Sequence, residues 1–379
     1  MKVKSSPDIG HLPTRPRVKP EHKAYRTVNG NVRLGGGLYG IAVEIKDPTG
    51  VVWTLLESLD GSRNIDEAVA AVHSHNPGIA PSDIVAGIEK LFQAGHLEDS
   101  DTLTPESLSA REIERYDRGH AFYRWVDRIP RGGSWDVQLK LRDARVVVVG
   151  VGGAGGAAAQ ALAATGVGHL HCVDSDVVEL SNLNRQVLYD EDDIGRPKVE
   201  AAVARLTRLN SDIKVTGERF AVRNQDDLAR LIDGFDVLVL GADRPGDIRS
   251  WANRACLAAG VPWVDGGYHG ALLTLAAYTP GDGPCWECLR IAELQRPEMS
   301  IFNPEDKLFL GPRVPGHPVT AVSAMVTGCL MAHAAIALIT GAPALPTGAG
   351  YGVNLVVPDD RMMVRHPRQP NCPSCGHLP

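Results

Sequence analysis

The sequence has no basic tract. Its 39 Lys and Arg residues stand against 45 Asp and Glu, a net charge of −6, so the electrostatic footprint of a nucleic-acid binder is missing. An apolar core near the start is missing too. Met1 to Lys23 is rich in Lys, Pro and His, which excludes a secretory signal or membrane anchor there, and residues 1–24 read as a disordered tail. Cysteine is sparse: seven in 379 residues are too few and too dispersed for a disulfide scaffold, and without a secretory signal they point to a reducing, cytoplasmic compartment. Cys172, Cys256 and Cys329 sit singly in apolar surroundings and read as small buried hydrophobes. Long uncharged runs are scarce. Val319 to Ala342 is long enough to span a bilayer, but it is mainly Ala, Gly, Ser and Thr. A buried helix, at a subunit interface, is expected instead of a membrane segment, with His333 as a satisfied core histidine.

With 44% apolar and 22% charged residues the composition is that of a globular protein, and at roughly 150 residues per domain the length suits two or three domains. The chain is organised around Arg145-Val-Val-Val-Val-Gly150-Val-Gly152-Gly153-Ala-Gly155-Gly156. The valines read as a strand buried on both faces, and Ala157 to Thr165 as the helix behind it. Glycines at the join allow a tight turn and let backbone N–H groups approach a phosphate at the helix N-terminus. Gly150-x-Gly152-x-x-Gly155 alone is a weak signal. It is strengthened by a second apolar strand, His169 to Val173, ending in Asp174 at the distance where an acidic residue takes a ribose hydroxyl.

Residues 25–101 read as a separate unit. Thr27 to Leu34 and Ile41 to Ile45 have strand character, and three short helices follow: Val51 to Leu59, an amphipathic helix capped by Asn64, and Ser82 to Phe92 with Ser82 as cap. The pattern is winged-helix-like. With Leu59-Asp-Gly61 and Leu91-Phe-Gln-Ala-Gly-His-Leu97, the unit resembles the PqqD-like elements that bind the leader segment of ribosomally made precursor peptides. That resemblance implies a leader added as a strand at an exposed sheet edge. Residues 102–140 read as a charged helical connection broken by Gly132-Gly133 before residues 141–379 begin.

Beyond Asp174 the chain reads Ser175-Asp176-Val-Val-Glu-Leu-Ser181-Asn182-Leu-Asn184-Arg185-Gln186, then Gly195-Arg196-Pro197-Lys198, and Gly241-Ala-Asp243 after an apolar strand. Together these motifs closely resemble the E1-like adenylating enzymes, the group of ThiF, MoeB and the ubiquitin-activating proteins, from about Arg111 onward. The resemblance implies an α/β fold: a Rossmann-like E1 adenylation domain with a mixed sheet, here preceded by the small winged-helix-like α+β domain. It implies ATP as substrate, with Gly150, Gly152, Gly153 and Gly155 as the phosphate turn, Asp174 on the ribose, and Asp176 and Gln186 as further nucleotide contacts. Asn182, Arg185 and Lys198 would hold the triphosphate and offset charge growing on the α-phosphoryl, with Asp243 as a Mg²⁺ ligand. A competing explanation for Arg185 and Lys198 is a surface ion pair with Asp190 to Asp193. Arg244 stands where the family has Asn. Arg115-Tyr-Asp-Arg118 resembles the family segment whose second arginine reaches the partner subunit's ATP site, which implies a homodimer.

Two C-x-x-C pairs, Cys285/Cys288 and Cys372/Cys375, fit a closed tetrahedral zinc site; redox activity is the other use of such pairs. Family members that pass the acyl group to a thiol carry a cysteine in the loop after the first pair. Between Arg290 and Thr320 there is none, which argues against a covalent thioester step. The first functional reading is ATP-dependent adenylation of a carboxylate on a precursor peptide, in peptide natural-product maturation. The second is a leader-binding subunit that presents the peptide to a separate enzyme, and the third an activator of a sulfur carrier for thiamine or molybdopterin synthesis.

Overall fold

A computed structural model of the chain describes residues 12–295, 318–357 and 359–377. It divides into two compact units, residues 1–139 with 341–343, and 140–340 with 344–379.

The first unit contains β1 (Pro16–Val18), β2 (Tyr25–Arg26), β3 (Val32–Leu34), β4 (Val43–Ile45), α1 (Val51–Ser58), α2 (Ile65–His75), α3 (Pro81–Gln93), β5 (Leu97–Asp99) and α4 (Ala110–Val126). Strands β2, β3 and β4 form one antiparallel sheet. Val32, Leu34, Leu56, Leu59, Ile88 and Leu97 close a core between that sheet and α1 to α3. Asn64 caps α2 through a reciprocal bond with Glu67, which satisfies two N–H groups the helix start leaves open. Ser82 is not the cap of α3: Pro81 occupies the first turn and Ala80 precedes it, because proline's fixed φ suits that position and it has no N–H to lose. The expected tail is also corrected. Residues 1–11 lie outside the described residues, but Pro16–Val18 pairs with Leu97–Asp99, and Lys19, 5% exposed, donates to the Asp127 carbonyl. The strand was hidden by its basic, proline-rich neighbours. The connecting helix α4 ends at Val126, ahead of Gly132-Gly133; Asp127 then accepts from the Ile129 N–H and pairs with Arg131.

A buried histidine pair makes this unit sensitive to acid. His22 Nε2 lies 2.7 Å from the Trp125 carbonyl and so carries its proton there; His22 Nδ1 then accepts from His96 Nδ1 at 3.0 Å. His96 Nε2 is left buried without a partner. Burial, and then the Arg128 charge, holds His96 down at about 3 against an ordinary 6.5. The unfolded chain therefore takes up a proton below pH 6.5 that the folded chain refuses, so stability present above that pH is lost as pH falls, by about 2 kcal/mol at pH 5. Calorimetry should show the unit melting earlier at pH 5 than at pH 7.5, with the difference reduced in His96→Leu.

The second unit contains α5 (Asp136–Asp143, crossing the boundary), β6 (Arg145–Val149), α6 (Gly153–Thr165), β7 (His169–Asp174), α7 (Lys198–Leu209), β8 (Lys214–Arg219), α8 (Gln225–Ile232), β9 (Val237–Leu240), α9 (Ile248–Ala259), β10 (Trp263–His269), β11 (Leu272–Tyr278), α10 (Trp286–Leu294), α11 (Ala321–Thr340), β12 (Ala349–Asn354) and β13 (Arg361–Arg365). One eight-stranded sheet runs β13-β12-β11-β10-β9-β6-β7-β8. From β8 to β10 the strands are parallel; from β10 to β13 they are antiparallel. This is the mixed sheet expected. Val146 to Val148 and Val237 to Val239 are fully or almost fully buried, as central strands covered on both faces must be.

Helix α11 is long and apolar enough to cross a membrane, but its small residues pack on the protein. A methyl at Gly328 would come 2.3 Å from the Ala154 carbonyl oxygen, so α11 lies directly against the first turn of α6. Two expectations for this helix need correction. Cys329 is exposed, and His333 is half-buried with no hydrogen-bond partner among the described residues. Both positions fall off the stripe formed by Ala324, Thr327, Gly328 and Met331.

Candidate functional site

The chain leaves β6 for β7 and β8 on one side and returns to β9 on the other. A crevice opens at the C-terminal ends of β6 and β9, where open α/β sheets bind ligands. Two loops interlock there. Gly150 has φ +85°, and a Cβ on it would come 2.6 Å from Ala242 N; one on Gly155 would come 1.8 Å from the Gly150 oxygen. Only glycine fits these two places. Helix α6 starts at Gly153, with Gly152 as a cap that offers no side chain. Its first N–H groups therefore face the crevice with the positive end of the helix dipole, an arrangement that favours an anion.

Around this turn stand the residues singled out in the sequence. Asp174, at the end of β7, accepts from Val151 N and Asp176 N, both at 2.9 Å, and so fixes the glycine turn to its own strand. Lys198, 6% exposed at the start of α7, donates to Asp176 Oδ2 at 2.9 Å. Asn182 and Gln186 are buried; Asn182 Oδ1 accepts from Glu179 N. The Gln186 Nε2 lies 3.6 Å from a Cβ built on Gly152, and its Oε1 is a buried acceptor without a partner, an uncommon condition that a bound ligand would relieve. Arg185 is held at Nη1 by the Ser181 carbonyl at 2.9 Å and Asn184 Oδ1 at 3.2 Å. Asp243, past the end of β9, is exposed and has no hydrogen-bond partner among the described residues. The acidic run Asp190 to Asp193 pairs with Arg196 and Arg205, so the competing surface-pair explanation for Arg185 and Lys198 does not hold. Arg118 is exposed on α4 in the first unit, likewise without a partner among the described residues.

Sequence reading missed three side chains here. Arg249 Nε lies 2.9 Å from both oxygens of Asp265, and the Asp265 charge raises the guanidinium above its ordinary value, with Asp243 adding to it. Tyr268, on β10, has its phenol pushed up by burial, with the Arg185 charge acting against that and the Asp243 charge adding to it. Neither β10 residue belongs to a motif, and only the sheet order brings this strand beside β9.

The four cysteines converge. Their Sγ atoms all lie within 4.8 Å of one another and all four residues are buried; Cys285 is 3.6 Å from Cys372, Cys288 is 3.4 Å from Cys375, and Cys285 is 3.9 Å from Cys288. Four sulfurs about 2.3 Å from one tetrahedral zinc are about 3.8 Å apart, so the cluster fits that ion. Gln369 N and Asn253 Nδ2 donate toward Cys288 and Cys285 at 3.3 and 3.6 Å, as outer partners of a thiolate site do. Glu287, between the first pair, accepts from Ser250, Arg254 and Ser374 and so ties α10 to α9 and to the C-terminal segment. The loop expected to lack a thiol falls mostly at residues 296–317, outside the described residues.

A mixed sheet with a glycine turn at its switch point, cations gathered beside it and a four-cysteine clasp define an E1-like adenylyltransferase. The chain belongs to the ThiF family, whose sequence profile matches residues 126–374. It is 42% identical over 183 residues to the molybdopterin-synthase adenylyltransferase of Escherichia coli, covering 48% of this chain and 70% of that one. To the SAMP-activating enzyme E1 of Haloferax volcanii it is 35% identical over 280 residues, covering 71% and 91%. Among solved structures, E. coli MccB superposes with a TM-score of 0.76 over 95% of this chain and 96% of that one, at 23% identity, a likeness of fold.

Proposed function

We propose that this adenylyltransferase activates a carboxylate on a ribosomally made precursor peptide whose leader is held by the N-terminal unit. The observation that carries this is the unit itself. Residues 12–101 have their own core and a three-stranded sheet with β2 and β4 as open edges, and they precede the part matched by the family profile. An extended peptide can add to such an edge through main-chain hydrogen bonds. MccB, solved with ATP and in complex with N-formylated MccA, is described as a microcin C7 biosynthetic enzyme, which supports the same use of a similar fold.

In this reading a carboxylate oxygen attacks the α-phosphorus of ATP, the bond to the bridging oxygen breaks, and pyrophosphate leaves. The barrier lies in bringing two anions together, so fixed cations and N–H groups are what lowers it. The turn at Gly150, Gly152, Gly153 and Gly155 and the Asn182 amide hold the phosphates, Asp174 takes the ribose, and Asp176 and Gln186 are further nucleotide contacts. Lys198 and Arg185 offset charge growing on the α-phosphoryl. Asp243 would hold Mg²⁺, which neutralises phosphate charge when bound. Capture of a peptide encoded beside this gene, measured by fluorescence anisotropy, should be abolished in a chain lacking residues 1–101 while ATP binding persists; unchanged capture would refute the role given to the unit.

The sulfur-carrier reading is favoured by one observation, the 42% identity to a molybdopterin-synthase adenylyltransferase. A carrier protein that drives pyrophosphate exchange better than any neighbouring peptide would establish it.

Arg118 is proposed to act across a homodimer, in the partner's site. Mixing the Arg118→Ala and Asp243→Ala chains, each inactive alone, should restore about a quarter of the activity when subunits exchange at random, since half the dimers are mixed and each has one intact site. Exchange without recovery would exclude it.

A further inference from the structure

Tyr189 lies just beyond Gln186, the last motif position of its stretch, and no motif assigns it. It is 5% exposed, and its hydroxyl donates to the Val151 carbonyl oxygen at 2.8 Å. Val151 belongs to the glycine turn, and its N–H is held too, donating to Asp174 Oδ2 at 2.9 Å. Both polar atoms of this residue are therefore tied down before any ligand arrives. The backbone of Tyr189 is anchored as well, its N–H donating to the Gln186 carbonyl at 3.1 Å. Burial, and then the Asp174 charge, pushes the phenol above its ordinary range, so the proton that makes the bond is present at working pH.

The carbonyl of Val151 shares a peptide plane with the N–H of Gly152, and in a trans peptide such as this one the two point in opposite directions. Holding the carbonyl toward the buried ring therefore holds the Gly152 N–H away from it. That N–H has no partner among the described residues and belongs to the residue that caps α6. Without the phenol the plane has an alternative. Gly152 sits at φ −73°, but a glycine takes a positive φ about as readily, so the plane could turn over and present a carbonyl oxygen to an anion. We infer that Tyr189 is a positioning residue: its hydroxyl selects the orientation of the Val151–Gly152 peptide that offers the Gly152 N–H to the phosphates bound at the start of α6. The inference rests on the assignment of this crevice to ATP. It extends the phosphate turn to a side chain that touches no ligand.

The test compares two ligands on the full chain and on Tyr189→Phe, which removes one oxygen and keeps the ring. Titration calorimetry should show MgATP binding weakened by about tenfold, the scale of one hydrogen bond to a charged group. Adenosine affinity, read by competition with a fluorescent adenosine derivative, should change by less than about twofold, since the bond at stake is made to phosphate. A hydroxyl that only braces the fold would lower the melting temperature and weaken both ligands alike. A second reading needs no variant. With valine labelled at the carbonyl carbon and glycine at nitrogen, the Val151–Gly152 amide signal of the native chain should shift with MgATP and stay in place with adenosine. Unchanged MgATP affinity in Tyr189→Phe, equal losses for the two ligands, or an amide signal that ignores MgATP overturns the inference while leaving adenylation intact. A loss confined to MgATP in a chain that exchanges no pyrophosphate with any peptide sustains the role of Tyr189 and sinks peptide activation. A native chain that binds no MgATP overturns both.

Discussion

Lys198→Ala lowers the rate of ATP–pyrophosphate exchange by about a hundredfold, on the order of 3 kcal/mol, the loss expected when one preorganised charge is removed from a developing anion. The size follows from where the amine sits. Its side chain is 7% exposed, at the first turn of α7, and its Nζ is 2.9 Å from an Asp176 carboxylate whose own side chain is 65% exposed. The lysine is thus oriented before substrate arrives, and its positive charge is screened little by water. Loss of the amine leaves an exposed carboxylate, which water solvates at small cost, so the melting temperature should hardly move. Asp176→Asn should keep the charge but loosen its placement, with a smaller loss of about tenfold. Steady-state exchange assays with matched thermal melts separate these outcomes; equal losses in the two variants would mean that the contact of Asp176 with the nucleotide matters more than its hold on Lys198.

Removing zinc should have the largest effect on stability. Binding of a structural zinc ion is worth on the order of 10 kcal/mol, and here its ligands join α10 to the C-terminal segment through cysteines 87 residues apart. Metal analysis should find about one zinc per chain. Cys372→Ser should lower that content and bring forward the melting of the C-terminal segment, read by hydrogen exchange at Cys372 to Gly376. Strong chelation of the native chain should do the same. Metal-free protein with an unchanged melting curve would show that the four thiols serve another purpose.

Much of this was legible in the chain because it depends on local rules. Gly150 and Gly155 stand where any side chain would strike backbone, so their spacing carries the turn into the sequence. The cysteine pairs announce themselves by spacing alone, and Asn64 with Glu67 spells out its own cap. What the sequence hid depends on long-range pairing. Pro16–Val18 became a strand only because Leu97–Asp99 lies opposite it. The partner of Lys198 is Asp176, across a strand-to-helix crossing, and not the nearer acidic run that composition suggested. Tyr268 and Asp265, the partner of Arg249, enter the site because β10 is laid beside β9. Ser82 and Cys329 show a second kind of limit: a shift of one or two residues at a helix start or around a helix face changes what a side chain meets.

The central claim is that a peptide carboxylate attacks the α-phosphorus of ATP. The most direct test supplies Mg-ATP and a neighbouring precursor peptide whose carboxylates carry oxygen-18, then examines the nucleotide product by mass spectrometry. The account predicts AMP that has gained one labelled oxygen, together with unlabelled pyrophosphate, because the attacking oxygen stays on phosphorus when the adenylate is later resolved at carbon. ADP with the label in inorganic phosphate, or AMP without label, would contradict it.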